Sequence, residues 1–336
     1  MASNQDTLVG APLDALVVGG GPAGLTAALY LARFRRRFLV VDAGDPRARW
    51  IPTSHNIPFF AEGIGGPELL ARMRETLAPY GAQILAGEVE ALRREGRGFA
   101  AEVARRDGVR QSIRARYVIL ATGSRDVEPP LPDVEGAVRD GLIRHCPICD
   151  GYESREQRIG VIGHGARGAA EAIFIARTYS DDVTLLTLAA PMDDLAPDTR
   201  AELASLGVAV EERPVVGLDR AGGRIAALRW GSGGGLAFDV LYSALGLDYR
   251  NGLARQLGAE LDECGAVRLR KGNETSVPGL YAIGDLAEGL DQIGVALGQA
   301  AIATTHIHNR CHLATAEEGP AEEGPAEEGH RRGGPP

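Results

Sequence analysis

After Asp14 the chain opens on a short apolar run to Val18, which enters the turn Gly19-Gly20-Gly21-Pro22-Ala23-Gly24. An apolar run bounded by turn residues reads as a buried strand. Leu25 to Phe34 then shows helical spacing among good helix formers, and Phe38 to Asp42 is a second buried-strand pattern that closes on an acid. Together these predict a β-α-β unit. Glu88 to Leu92, Phe99 to Ala104 and Ser112 to Arg116 predict three strands of a small antiparallel meander. Tyr117 to Leu120 predicts a further buried strand, running into Ala121-Thr122-Gly123-Ser124.

The pattern then restarts. Arg158 to Ile162 enters Gly163-His164-Gly165-Ala166-Arg167-Gly168, Ala169 to Arg177 reads as helix, and Val183 to Leu188 as strand. Val208 to Val210, Val215 to Leu218 and Ile225 to Trp230 predict another strand set, and Val240 to Leu245 closes the unit at Gly246. Two glycine-rich β-α-β units, each with extra strands, make a repeat at the level of architecture. Beyond them lie Gly279-Leu280-Tyr281-Ala282-Ile283-Gly284-Asp285 and an apolar helix over Val295 to His306. From Ala316 the chain repeats Ala-Glu-Glu-Gly, too poor in apolar residues to build a core, so residues 315–336 are expected to be disordered.

Composition narrows the function classes. A chain of 336 residues with 44% hydrophobic residues has material for two domains. The net charge of −9 argues against nucleic-acid binding. The basic run Arg33, Arg35, Arg36, Arg37 follows a helix, where cations complement the C-terminal dipole. No apolar segment is long enough to span a membrane, and residues 1–13 lack the apolar core of a signal peptide, so a cytoplasmic location is expected. The few cysteines do not form a structural disulfide framework. Cys264 and Cys311 stand alone as ordinary small residues, whereas Cys146 and Cys149 form a C-x-x-C.

Three turns carry binding chemistry. In the first, Gly19 allows a tight turn, Gly21 lets backbone approach a pyrophosphate, and Gly24 permits close helix–strand packing. The helix N-terminus after Pro22 and Ala23 presents N–H groups to an anion, and Asp42 stands where an acid binds a ribose hydroxyl. Thr122-Gly123 and Gly284-Asp285 are strand-end turns whose acid and amides suit a ribityl chain and a pyrophosphate. Two thiols spaced as Cys146 and Cys149 can close and reopen a small disulfide, and Asp150 beside them can move a proton. A zinc site is not expected, because there is no second cysteine pair; His145 and His164 are the only nearby histidines.

The order of these motifs, from Gly19–Gly24 through Thr122-Gly123, Cys146-x-x-Cys149-Asp150 and the second glycine turn to Gly284-Asp285, resembles the low-molecular-weight thioredoxin reductases. That resemblance covers about Asp14 to His312. It implies an α/β fold of two Rossmann-like, glutathione-reductase-type three-layer domains, the second inserted into the first. The FAD-binding domain would comprise residues 14–124 and 246–314. The NAD(P)-binding domain, with the cysteines, would comprise 125–245. It implies that Cys149 faces the flavin, Cys146 exchanges with substrate and Asp150 is the acid/base. It further implies that the Asn56 loop and Gln292-Ile293 contact the flavin, and that Gly163, Gly165 and Gly168 hold NADPH or NADH. A homodimer and a thioredoxin-like partner, or a small dithiol or disulfide, follow from it. The wording Cys-Pro-Ile-Cys is also similar to related flavoenzymes that oxidise dithiols with oxygen, as in gliotoxin- or holomycin-type metabolites, and need no nicotinamide. That activity and a non-turning-over redox sensor are the alternatives. After the second strand, NADPH-using relatives carry His-Arg-Arg; Leu186-Thr187-Leu188-Ala189-Ala190-Pro191 has no cation to pair a phosphate, leaving Arg167 and Arg177 as the nearest candidates.

Overall fold

The computed structural model describes residues 12–193 and 195–311. The tails expected over 1–13 and 315–336 lie outside the described residues, apart from Pro12 and Leu13. The first β-α-β unit consists of strand Leu13–Val18, helix Pro22–Arg33 and strand Phe38–Asp42. The two strands pair in parallel, Ala15 opposite Phe38. Leu13–Val18 is buried throughout because it is central: on its other side it pairs in parallel with Arg110–Leu120. Leu280–Ala282, from the far end of the chain, adds to Arg110–Leu120 and completes a six-stranded sheet. Alternate residues of these strands feed two cores. Leu16, Val18 and Leu39 face the meander side, whereas Ala15, Val17 and Val40 face the helices Pro22–Arg33 and Ile293–Arg310.

The meander strands are longer than their sequence pattern indicates. Ser112–Arg116 and Tyr117–Leu120, read as separate strands, form one strand, Arg110–Leu120. Its outer half pairs antiparallel with Gly98–Arg105 and alternates in burial; its inner half is buried between Leu13–Val18 and Leu280–Ala282. The hydrophobic period changes because the environment changes, without a break in the backbone.

The second sheet has the order Ala209–Glu211, Val183–Leu186, Ile159–Ile162, Val240–Ser243, Ile143–Arg144, all parallel. Helix Gly165–Thr178 crosses from its central strand. Two expectations change here. The segment read as Val208–Val210 belongs to this sheet as a mostly exposed edge strand, and Val215–Ala221 and Arg224–Trp230 pair instead with Gly235–Phe238. The strand from Val183 stops at Leu186, because Leu188 and Ala189 adopt left-handed backbone (φ 54° and 70°) that no strand continues. The chain passes between the sheets along two segments, Ser124–Asp126 and Leu247–Tyr249, which pair antiparallel with each other. Of the basic run, Arg33 lies in the last turn of its helix, while buried Arg36 hydrogen-bonds His308 near the end of Ile293–Arg310. No helix among the described residues is long and apolar enough to cross a membrane.

Candidate active site

A cleft of 610 Å³ brings the first glycine turn and the cysteine pair onto one surface. Gly19 and Gly24 are demanded by the fold. Gly19 has φ +114°, and a Cβ on Gly24 would sit 1.9 Å from the Gly19 carbonyl oxygen. Gly21 differs. A Cβ there would meet only Pro46 at 3.7 Å, so packing does not require glycine, and a longer side chain would enter the cleft. No side chain caps helix Pro22–Arg33. Its first N–H groups therefore remain available to an anion at a wall formed by Gly21, Pro22 and Ala23. Asp42 ends its strand on the same wall, accepting from the Gly20 and Gly44 N–H groups (3.3 and 2.9 Å) and pairing with Arg74 at 3.1 Å.

Thr122-Gly123 and Gly284-Asp285 follow adjacent parallel strands, which carries both turns to the cleft. Beside them stands a residue that sequence reasoning passed over. Arg47 forks onto both oxygens of Asp126 (2.8 and 2.6 Å) and reaches Asp285 at 3.0 Å. Burial opposes its charge, but the two carboxylates outweigh burial and raise its pKa. Asp291 shares this acidic neighbourhood. Burial, with the charges of Asp285 and Asp126, pushes its carboxyl up to about 7 despite Arg47.

Cys146 and Cys149 form a disulfide at the start of the short helix Pro147–Asp150, and both line the cleft. Gln292, the residue before helix Ile293–Arg310, directs its Nε2 at both sulfurs, 3.3 Å from Cys146 Sγ and 3.6 Å from Cys149 Sγ. Its Oε1 accepts from Asn56 Nδ2 at 2.8 Å, and Asn56 Oδ1 accepts from the hydroxyl of buried Ser54 at 2.9 Å. Ile293 lines the same cleft and packs against the Asn56 loop through Ile57.

Asp150 follows Cys149. Burial raises its pKa above the usual carboxylate value, against the pull of Arg144 (3.7 Å) and of the Tyr242 hydroxyl, which donates to Oδ1 at 2.9 Å. Tyr242 comes from the strand Val240–Ser243 and is fully buried. Burial first, and the Asp150 charge second, keep its hydroxyl protonated far above neutral pH. Arg144 also donates to Ser154 Oγ at 2.9 Å, which lies 3.3 Å from the Tyr242 oxygen. His145 is held by Glu128 at 3.2 Å; burial disfavours its charge, but the Glu128 hydrogen bond and nearby acids raise its pKa overall.

The second glycine turn lies outside the cleft. Gly163 and Gly168 pack against each other, since a Cβ on Gly168 would fall 2.4 Å from Gly163 carbonyl carbon, and Gly165 begins the helix. The two candidate cations nearby have other neighbours: Arg177 pairs with Glu202 at 2.6 Å, and the Arg167 guanidinium lies over Gly246. Arg47, Asp126, Arg144, Tyr242 and Asp291 were not singled out from the sequence. Tyr242 alone left a signal: a hydroxyl within an apolar strand run, which must find a partner when buried.

The family model for pyridine nucleotide-disulphide oxidoreductases matches residues 13–300. A thioredoxin reductase of Mycolicibacterium smegmatis is 32% identical over 291 residues, 82% of this chain and 88% of that protein. Among solved structures, HlmI is 31% identical with a TM-score of 0.79, covering 89% of this chain and 92% of its own. The thioredoxin reductase from Streptococcus pyogenes is 26% identical with a TM-score of 0.80, covering 89% and 98%.

Proposed function

The chain belongs to the pyridine nucleotide-disulphide oxidoreductase family, and on that premise we propose the route its electrons take. It is an FAD-dependent disulfide oxidoreductase of the thioredoxin reductase kind. The route runs from NADPH or NADH through FAD to the Cys146–Cys149 disulfide, and from Cys146 to a disulfide of a thioredoxin-like protein. The observation that carries this reading is the placement of that disulfide in the cleft that also holds an uncapped helix N-terminus and two strand-end turns.

The residues present fit a flavin dinucleotide. Gly21 leaves open space where a pyrophosphate would approach, Asp42 and Asp285 offer carboxylates for hydroxyl groups, and Thr122-Gly123 adds backbone amides. Asn56, Gln292 and Ile293 would hold the ring end. Bound there, FAD supplies two-electron chemistry between a nicotinamide and a disulfide. The chain's own part is to orient and protonate. Cys149 faces the ring, Cys146 is the sulfur that attacks substrate, and Asp150 gives and takes the proton at the leaving sulfur. Burial raises the Asp150 pKa against the pull of Arg144 and of the Tyr242 hydrogen bond, a shift toward the protonated form that an acid at the leaving sulfur needs. Residues 14–124 with 246–314 form the FAD-binding domain, 125–245 the nicotinamide-binding domain with Gly163, Gly165 and Gly168, and the assembly is a homodimer.

The oxygen-dependent dithiol oxidase and the non-turning-over sensor are not favoured by these relatives. Anaerobic addition of NADPH, NADH and a dithiol to the yellow protein tests the route. A nicotinamide should bleach the flavin and then open the disulfide. If a dithiol bleaches it and neither nicotinamide does, electrons run the other way and the reductase assignment falls.

A further inference from the structure

We propose that the Gln292 carboxamide is a catalytic residue of the thiol relay, a neutral donor set in advance for the thiolate released when Cys146–Cys149 opens. The inference rests on the reading of that pair as the redox centre. Gln292 Nε2 lies 3.3 Å from Cys146 Sγ and 3.6 Å from Cys149 Sγ, and its two hydrogens can serve both sulfurs. The amide cannot turn over without loss. Its Oε1 accepts from Asn56 Nδ2, and the orientation of Asn56 is fixed by the same Nδ2 donating to the Ile148 carbonyl at 3.4 Å, with the Ser54 hydroxyl on its Oδ1. Reversing either amide would set like groups against each other.

A closed disulfide is a weak acceptor, so this arrangement contributes little to the oxidised state. Opening the S–S bond takes two electrons and one proton and leaves one thiol and one thiolate. The electrons come from reduced flavin in turnover; in the test below Cys149 is replaced, so Cys146 is already a free thiol and no reductant is needed. A thiolate is a charged acceptor, and the N–H group that meets it is already in place. The charged groups around the pair are matched elsewhere. Arg144 lies against Asp150, His145 against Glu128, and His55, whose N–H reaches the Cys149 carbonyl, against Glu153. Asp291, next to Gln292 in sequence, is mostly protonated below about 7. Among the described residues, the neutral Gln292 amide is the side-chain donor that reaches the sulfurs.

The test follows alkylation of Cys146 by iodoacetamide against pH, resolved by mass spectrometry. It uses the full-length flavoprotein carrying Cys149→Ser and Cys264→Ser, the latter to remove an exposed thiol. The midpoint should lie below the ordinary thiol value of about 8.5. Gln292→Leu should raise it by about one unit, a tenfold change in thiolate fraction at neutral pH. Gln292→Glu, close in shape, should raise it further by placing a carboxylate against the sulfur, and Asn56→Ala should raise it less. An unmoved midpoint in folded Gln292→Leu overturns the proposal. Should that variant not fold, an unmoved or lowered midpoint in Gln292→Glu does so. The readout involves no turnover, so the two failures separate. An unmoved midpoint in a protein whose wild type reduces disulfides sinks only the role of Gln292. A wild type that never opens its disulfide in turnover sinks the functional reading.

Discussion

Tyr242→Phe removes one hydroxyl from a fully buried ring and leaves the packing intact. That hydroxyl donates to Asp150 at 2.9 Å. A hydrogen bond to a charged group contributes about 1.5–3 kcal/mol, equivalent to about one to two pKa units. The Asp150 pKa, raised by burial against the pull of Arg144 at 3.7 Å and of this hydroxyl, should therefore rise further by about one to two units when the hydroxyl is removed. The sign follows from the role. When Asp150 protonates the leaving sulfur it must carry its proton, so the alkaline limb of disulfide turnover should move to higher pH by about one to two units. In Asp150→Asn that limb should vanish and turnover should fall by roughly 10²–10⁴-fold. Stability gives a second arm. The hydroxyl stabilises ionised Asp150, so denaturant unfolding should show a loss of about 1.5–3 kcal/mol above the Asp150 pKa, narrowing to about 1 kcal/mol as pH falls and the carboxyl protonates. A pH profile and an unfolding curve that both superpose on the wild type would refute the reasoning.

Gly21→Val should yield colourless protein, because a side chain there meets little protein and fills the space a pyrophosphate needs; a yellow variant with the wild-type flavin content would contradict this. The two cysteines should behave unequally. Cys146→Ser should show long-wavelength charge-transfer absorbance from Cys149, Cys149→Ser should trap substrate on Cys146, and full turnover in either variant would remove the pair from the mechanism. NADPH should be favoured over NADH weakly or not at all, since Arg177 is paired with Glu202 and a missing bidentate phosphate contact costs about 1.5–3 kcal/mol. A preference of a hundredfold or more in kcat/KM would show that another residue replaces it.

The cleft was legible where backbone chemistry decides. Glycine at 19, 21 and 24 and the strand-end turns at Thr122-Gly123 and Gly284-Asp285 are local patterns, and the structure brings all but Gly24, which lies beneath, onto the cleft wall. The side chains that set the electrostatics were not legible. Arg47 meets Asp285 across 238 residues of sequence and Tyr242 meets Asp150 across 92, so neither contact leaves a periodicity to read. Strand ends failed for a similar reason. Apolar character continues through Leu188, but the backbone turns left-handed there, and hydrophobicity carries no record of φ. The edge strand Ala209–Glu211 was misassigned because its exposed residues resemble those of the neighbouring hairpin.

The central claim is that Cys146 and Cys149 exchange electrons with a flavin in the shared cleft. Anaerobic reductive titration of the purified flavoprotein with dithionite tests it most directly, with the wild type compared against a Cys146→Ser/Cys149→Ser double variant. The wild type should take up twice as many electrons per flavin as the variant, half of them appearing as new thiols at Cys146 and Cys149. Equal uptake, with the disulfide still closed in the wild type when the flavin is fully bleached, would contradict the account.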